Sequence, residues 1–455
     1  MMKPFAGEDF RKVLPVTGLQ PEEVVQLMNH YQQLGTVQWR SGRVSGGVYA
    51  AMSDEKLQSL MRDVFAETAY TNPLHADIFP GIRKMESEVV RMAINLFRGD
   101  DNCCGTMTSG GTESLVMVCK AFRDYARAER GVERGEVIAP ITAHAGFDKA
   151  AELLGLKLRH VQCDPKTFKV SVRGMKNLIN KNTILLVGSS PTYPHGIIDP
   201  LDEIAELGIA YDIPVHVDAC LGGFLLPFMA EAGYPVPVFD FRLPGVTSIS
   251  ADTHKYGYAP KGSSVIMYRD LKYRHYQFSV CTEWPGGMYA SPTISGSRAG
   301  ANIATCWAAL LYHGREGYVH STRLTLQVTR FLKEEVKKIP GICLFGDPLM
   351  SVLAFGSDSF NIFDMSERLA HRGWNLNPLQ FPSGFHICVT LMHTREGVAE
   401  QLLIDMREIA AELLANPGTV STGQAAVYGM AQALPDRSLV GDIAKHYLDA
   451  YYSTD

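Results

Sequence analysis

Short apolar runs alternate with amphipathic stretches through the middle of the chain. The runs "EVIAPI", "TILLVGSS", "IPVHVDA", "GVTSISA" and "SSVIMYR" are brief and rich in aliphatic and β-branched residues, which predicts buried strands. Between them, "TESLVMVCKAFRDYARAE" and "FDKAAELLG" repeat apolar residues at helical spacing. Strands alternating with helices predict βαβ units and a mostly parallel sheet over residues 86–315. Ahead of it, residues 1–85 hold the helical stretches "PEEVVQLMNHYQQL" and "DEKLQSLMRDVFAETA" around a Gly-rich loop, "RSGRVSGGVYA". This arm has too little core to stand alone and is expected to drape over the main body or a partner subunit. In residues 316–455 the long helix "STRLTLQVTRFLKEEVKKI" leads into a smaller α+β unit. Its strands are "SVLAFGS" and "FHICVTLM", its helices "DMSERLAHRG" and "EGVAEQLLIDMREIAAELL", and "DIAKHYLDAYY" in the tail reads as one more helix.

Composition narrows the class. The 455 residues are 46% hydrophobic and 20% charged, ordinary globular values. A net charge of -5 with no long basic run excludes a nucleic-acid surface. No apolar run suits a signal peptide or an integral membrane segment, so a soluble cytoplasmic protein is expected. The nine cysteines show no CxxC pairs or regular spacing and read as buried thiols of a reducing compartment, with Cys103 and Cys104 as packing residues. His386 and His393 flank a strand-like run without a carboxylate or cysteine at ligand spacing, so they read as structural or solvated rather than metal ligands.

Candidate chemistry gathers where predicted strands end, the place where open α/β sheets bind ligands. In "GTMTSGGTESLVMV", Gly110 and Gly111 allow close backbone approach, while Thr112 and Glu113 open a helix whose free N–H groups favour phosphate. An ordinary turn would use the same residues. In "PVHVDACLGG", Asp218 ends a buried strand, where it either caps the next turn or pairs with a cation. His144, after "EVIAP", suits a cap or a ring lying on an aromatic cofactor. In "SADTHKYGYAPKGSS", Lys255 follows a strand, and an apolar pocket there would lower its pKa and free an amine for Schiff-base chemistry. A phosphate-binding helix start, a stacking His, a buried Asp and a lysine together fit pyridoxal 5'-phosphate (PLP).

The stretches "TSGGTES", "AHAGFDKAA", "HVDACLGGFLLPF" and "SADTHKYGYAPKGSS" resemble the group II decarboxylase family of fold-type I PLP-dependent enzymes. Within it, "NPLHADIFPGIRKME", "TYPHGIID", "MYASPTISGSRAG" and "AVYGMAQ" are similar to the sphingosine-1-phosphate lyase branch, over residues 31–455. The resemblance implies a PLP-dependent transferase-like α/β fold and retro-aldol cleavage of a phosphorylated sphingoid base to an aldehyde and phosphoethanolamine. Amino-acid α-decarboxylation within the same family is the alternative. It implies Lys255 as the Schiff-base residue, Asp218 at the pyridinium nitrogen, His144 on the ring, and Gly111, Thr112, His254 and Ser297 at the cofactor phosphate. It further implies a homodimer with shared sites, in which Ser297 and the arm residues Tyr49, Asn72 and His75 act on the neighbour's site. Lys261, Tyr49 and His75 would hold the substrate phosphate, and Tyr193 would stand near the scissile bond. The base for the C3 hydroxyl stays open among Tyr193, Lys261 and the cofactor phosphate. The branch's eukaryotic members carry a membrane anchor before the catalytic part, and none is expected here.

Overall fold

A computed structural model describes residues 8–416, 434 and 436–454, so "AVYGMAQ" lies outside the described residues. Seven strands build the main sheet: β1 (Cys104–Thr108), β2 (Glu136–Pro140), β3 (Lys157–Val161), β4 (Thr183–Ser189), β5 (Val215–Asp218), β6 (Val246–Ala251) and β7 (Ser264–Tyr268). Their order is β1-β7-β6-β5-β4-β2-β3, and β7 alone runs antiparallel to its neighbours. The sheet is buried on both faces. Ile138, Leu186, Val265 and Met267 join one core, and their strand neighbours Val137, Ala139, Leu185, Val187 and Ile266 join another. Two covered faces are why these strands read as continuous apolar runs rather than alternating ones.

Helices α1 (Pro21–Tyr31), α2 (Glu55–Thr68) and α3 (Pro80–Leu96) precede the sheet. Asp54 caps α2 by accepting from the Leu57 amide at 3.0 Å. α4 (Gly111–Arg130) follows β1, α5 (Gly146–Leu154) follows β2, α6 (Val172–Leu178) follows β3 and α7 (Leu201–Tyr211) follows β4. After β7 come α8 (Leu271–His275), the hairpin β8 (Ser279–Cys281) and β9 (Tyr289–Ser291), and α9 (Gly300–Val336), kinked at Gly314. The helix expected from residue 316 therefore starts earlier, at Gly300, and its first turns are apolar and largely buried.

A second, fully antiparallel sheet of β10 (Cys343–Leu344), β11 (Val352–Gly356), β12 (Asn377–Leu379) and β13 (Gly384–Cys388) has the order β10-β11-β13-β12. It shares a core with α10 (Ile362–His371) and α11 (Val398–Ala415). The last helix, α12 (Arg437–Tyr452), covers the predicted "DIAKHYLDAYY". The cysteines depart in part from expectation: Cys281 and Cys343 are exposed, because they lie on the short hairpin and on the edge strand β10. Among the described residues, no helix is long and apolar enough to cross a membrane.

Candidate active site

The turn between β6 and β7 brings its charges against the start of α4. Lys255 Nζ lies 3.0 Å from Asp252 Oδ2, and His254 Nε2 lies 3.6 Å from the same oxygen. Gly111 permits this: a Cβ there would stand 2.8 Å from Asp252 Oδ2 and 3.0 Å from Cys220 Sγ. No side chain caps α4, and its first intrahelical amide bond is Ser114 to Gly110, so the amides of Gly111, Thr112 and Glu113 stay free for an anion. A cavity of about 360 Å³ opens there, lined by Gly111, Thr112, His144, Asp252, His254 and Lys255 among others. Asp252 Oδ1 faces no hydrogen-bond donor.

Electrostatics in this turn differ from the sequence expectation. Burial works against the Lys255 ammonium, but nearby carboxylates, Asp252 foremost, overcome it and raise the pKa above the ordinary lysine value. The lysine is thus held charged rather than neutral, because its pocket is polar. Asp252, two per cent exposed, is pushed up by burial but held below its ordinary range by Lys255 and His254. Sequence reasoning missed this residue, although an acid three positions before the lysine was in the quoted motif. His254 Nδ1 accepts from the Ser263 amide at 3.2 Å, which leaves Nε2 to carry the proton toward Asp252. Asp252→Asn is expected to lower the Lys255 pKa, since burial would then act against the remaining pull of Cys220 and Asp218 alone. Reductive methylation of Lys255 in the cofactor-free protein should then begin at lower pH than in the wild type.

The other expected residues fall into three groups. His144 lines the cavity and also caps α5, its Nδ1 accepting from the Gly146 amide at 3.0 Å. Tyr193 stands edge-on to it with ring centroids 6.0 Å apart. Asp218 ends β5, is six per cent exposed, and accepts from the Cys220 amide at 3.0 Å. It thus acts as a turn cap while lying close enough to Lys255 to raise its pKa.

A second cavity, of about 440 Å³, shares His254 and Lys255 with the first and is lined by Val48, Tyr49, Met52, Leu57 and Lys261. Lys261 Nζ lies 4.9 Å from the centre of the Tyr49 ring in the same chain. The Gly-rich loop folds Tyr49 back onto Tyr256, at a ring separation of 5.0 Å. Gly262, at φ 104°, turns the backbone behind Lys261. Although Lys261 reaches solvent, the protein around it and the Lys255 charge lower its pKa.

Asn72 and Ser297 form the third group. Asn72 Nδ2 donates to Ser297 Oγ at 3.0 Å, and the adjoining Arg298 makes a fork to buried Glu86 at 2.6 and 2.9 Å. Ser297 lines a small cavity with Ser109 and Glu113, and His75 is exposed on the loop before α3. None of the three lines either cavity at Lys255. His386 and His393 are both one per cent exposed, so neither is solvated.

Residues 15–357 match the pyridoxal-dependent decarboxylase conserved domain. A sphingosine-1-phosphate lyase of Drosophila melanogaster is 51% identical over 445 residues, 98% of this chain and 81% of that protein. Sphingosine-1-phosphate lyase 1 of Rattus norvegicus is 51% identical over 449 residues, 98% of this chain and 78% of that protein. The structure of a Burkholderia pseudomallei sphingosine-1-phosphate lyase superposes with a TM-score of 0.86 at 39% identity, covering 90% of this chain and 95% of that one.

Proposed function

The chain belongs to the pyridoxal-dependent decarboxylase family, and from that membership we propose a lyase that cleaves the C2–C3 bond of sphingosine 1-phosphate or a related phosphorylated sphingoid base. Its products are a long-chain aldehyde and phosphoethanolamine. The cofactor, pyridoxal phosphate, supplies a cationic ring that takes up the electron pair released as the bond breaks. The residues present fit it. The free amides of Gly111 and Thr112 with His254 suit its phosphate, Lys255 has the amine that would hold it, His144 offers a ring face, and Asp218 a buried negative charge.

The observation that carries the substrate reading is the second cation. Lys261 and Tyr49 line a cavity that adjoins the cofactor cradle but lies outside it, which suits a substrate with a phosphate of its own. Lys261→Ala is expected to lower kcat/KM for the phosphorylated base about 100-fold, as loss of a charged hydrogen bond to a dianion should. Product analysis with phosphorylated and unphosphorylated bases at matched concentration tests the whole reading. Comparable turnover of both would remove the role of Lys261, and release of CO2 from amino acids without any aldehyde would make the protein a decarboxylase.

In the same proposal the protein works as a cytoplasmic homodimer, with Asn72, His75 and Ser297 serving the partner copy's site. None of the three lines a Lys255 cavity of its own chain, which is compatible with a contribution in trans. The C3 hydroxyl proton has three candidate acceptors: Tyr193, Lys261 and the cofactor phosphate.

A further inference from the structure

Tyr193 is gripped from the second sheet. In the β12–β13 pair Asn377 stands directly opposite His386, and both side chains reach the loop after β4. Asn377 Nδ2 donates to Tyr193 Oη at 2.9 Å. The His386 ring stands edge-on to the Tyr193 ring at 4.9 Å, and its Nδ1 lies 3.0 Å from the Pro194 carbonyl. A carbonyl only accepts, so Nδ1 carries the proton. Burial lowers the His386 pKa to about 4, so the ring is neutral and Nε2 holds a lone pair. That Nε2 and Asn377 Oδ1 are both buried without a donor. A buried acceptor left unpaired costs roughly 1–3 kcal/mol, which hairpin packing alone does not call for.

We propose that Asn377, braced by its cross-strand neighbour His386, is a positioning residue for Tyr193. By donating to Oη, the Asn377 amide leaves the phenol's own proton free to turn toward the cavity on the His144 side. The ring stands between His144 at 6.0 Å and His386 at 4.9 Å, and the Asn377 bond sets the side from which its oxygen is approached. The second sheet thereby sets the geometry of a group attached to the first. The inference rests on the proposed place of Tyr193 beside the scissile bond.

Steady-state kinetics of the holoenzyme on a phosphorylated sphingoid base test it, with Tyr193→Phe, Asn377→Ala, Asn377→Asp and the Tyr193→Phe/Asn377→Ala double variant. Asn377→Ala is expected to lower kcat about tenfold with KM within about twofold, the size of one lost hydrogen bond. Asn377→Asp keeps the volume but has no N–H to donate, and should lose as much. With Tyr193→Phe already present, Asn377→Ala should cost less than about twofold. Wild-type kcat for Asn377→Asp with an unchanged thermal midpoint would overturn the proposal, as would equal losses from Asn377→Ala in both backgrounds. Wild-type kcat for Tyr193→Phe would instead sink the reading of Tyr193 itself, and with it the role of Asn377.

Discussion

Lys255→Ala is expected to leave no measurable turnover and no cofactor absorption that survives desalting. The amine is the group that would hold the cofactor, and Lys255 is the lysine that lines both cavities. The same change also strips Asp252 of its cation. A buried carboxylate deprived of its partner costs about 3–5 kcal/mol, and Asp252 is two per cent exposed against a Lys255 side chain one-fifth exposed. The pH dependence follows. In the intact protein Asp252 is held below its ordinary range, so its contribution to stability is present above the unfolded pKa and is lost as pH falls through the folded one. Without Lys255, burial pushes the group up instead. The stability deficit should then be largest near neutral pH and shrink as the carboxyl takes up a proton. Thermal midpoints of wild type and variant from about pH 7 down to about pH 5 would read this. Lys255→Arg keeps a positive charge beside Asp252 and should recover most of the midpoint but none of the turnover. Turnover in Lys255→Ala would remove this lysine from the chemistry.

Asp218→Asn is expected to lower kcat by about three orders of magnitude, or roughly 4 kcal/mol of transition-state stabilisation. The substitution isolates charge from structure. An Asn at this position keeps the volume and the oxygen that accepts from the Cys220 amide at 3.0 Å, so the turn after β5 should survive. What disappears is the negative charge, which in the proposed function would keep an electron-accepting ring cationic. Its neighbour His216 does not offset that charge. His216 is fully buried between Ser248 at 2.9 Å and Ser250 at 3.1 Å, and burial lowers its pKa to about 4, so it is neutral. The test pairs kcat with the pH titration of cofactor absorbance and with a thermal midpoint. Activity within about tenfold of wild type at an unchanged midpoint would show that the Asp218 charge is not required.

The strands that sequence reasoning found and missed share one physical explanation. β2, β4 and β7 place apolar residues on two covered faces, so their runs are legible, while β5 and β6 interleave apolar residues with the buried polar His216, Ser248 and Ser250. β3 lies at the sheet edge with Lys157, Arg159 and His160 largely in contact with water, and β1 is built from small and polar residues, so neither carried a run to read. The candidate site was legible where chemistry sits in contiguous motifs: Gly111, Thr112, His144, His254 and Lys255 converge on one cavity. It was illegible where a role depends on what lies opposite. The charge of Lys255 follows from Asp252, and the setting of Tyr193 from Asn377 and His386, more than 180 residues along the chain.

The sequence by itself determined the alternation of strands and helices, the family, the cofactor and the lysine that would carry it. Periodicity and local motifs are properties of neighbouring residues, and neighbours are what a sequence records. Tertiary structure decided that Lys255 is held as an ammonium, that Tyr49 faces Lys261 within one chain, and that a hairpin of the second sheet grips Tyr193. The last two depend on groups distant in sequence meeting in space, and the first on burial, which sets Asp252 against Lys255 so that a nearby carboxylate outweighs the effect of burial itself.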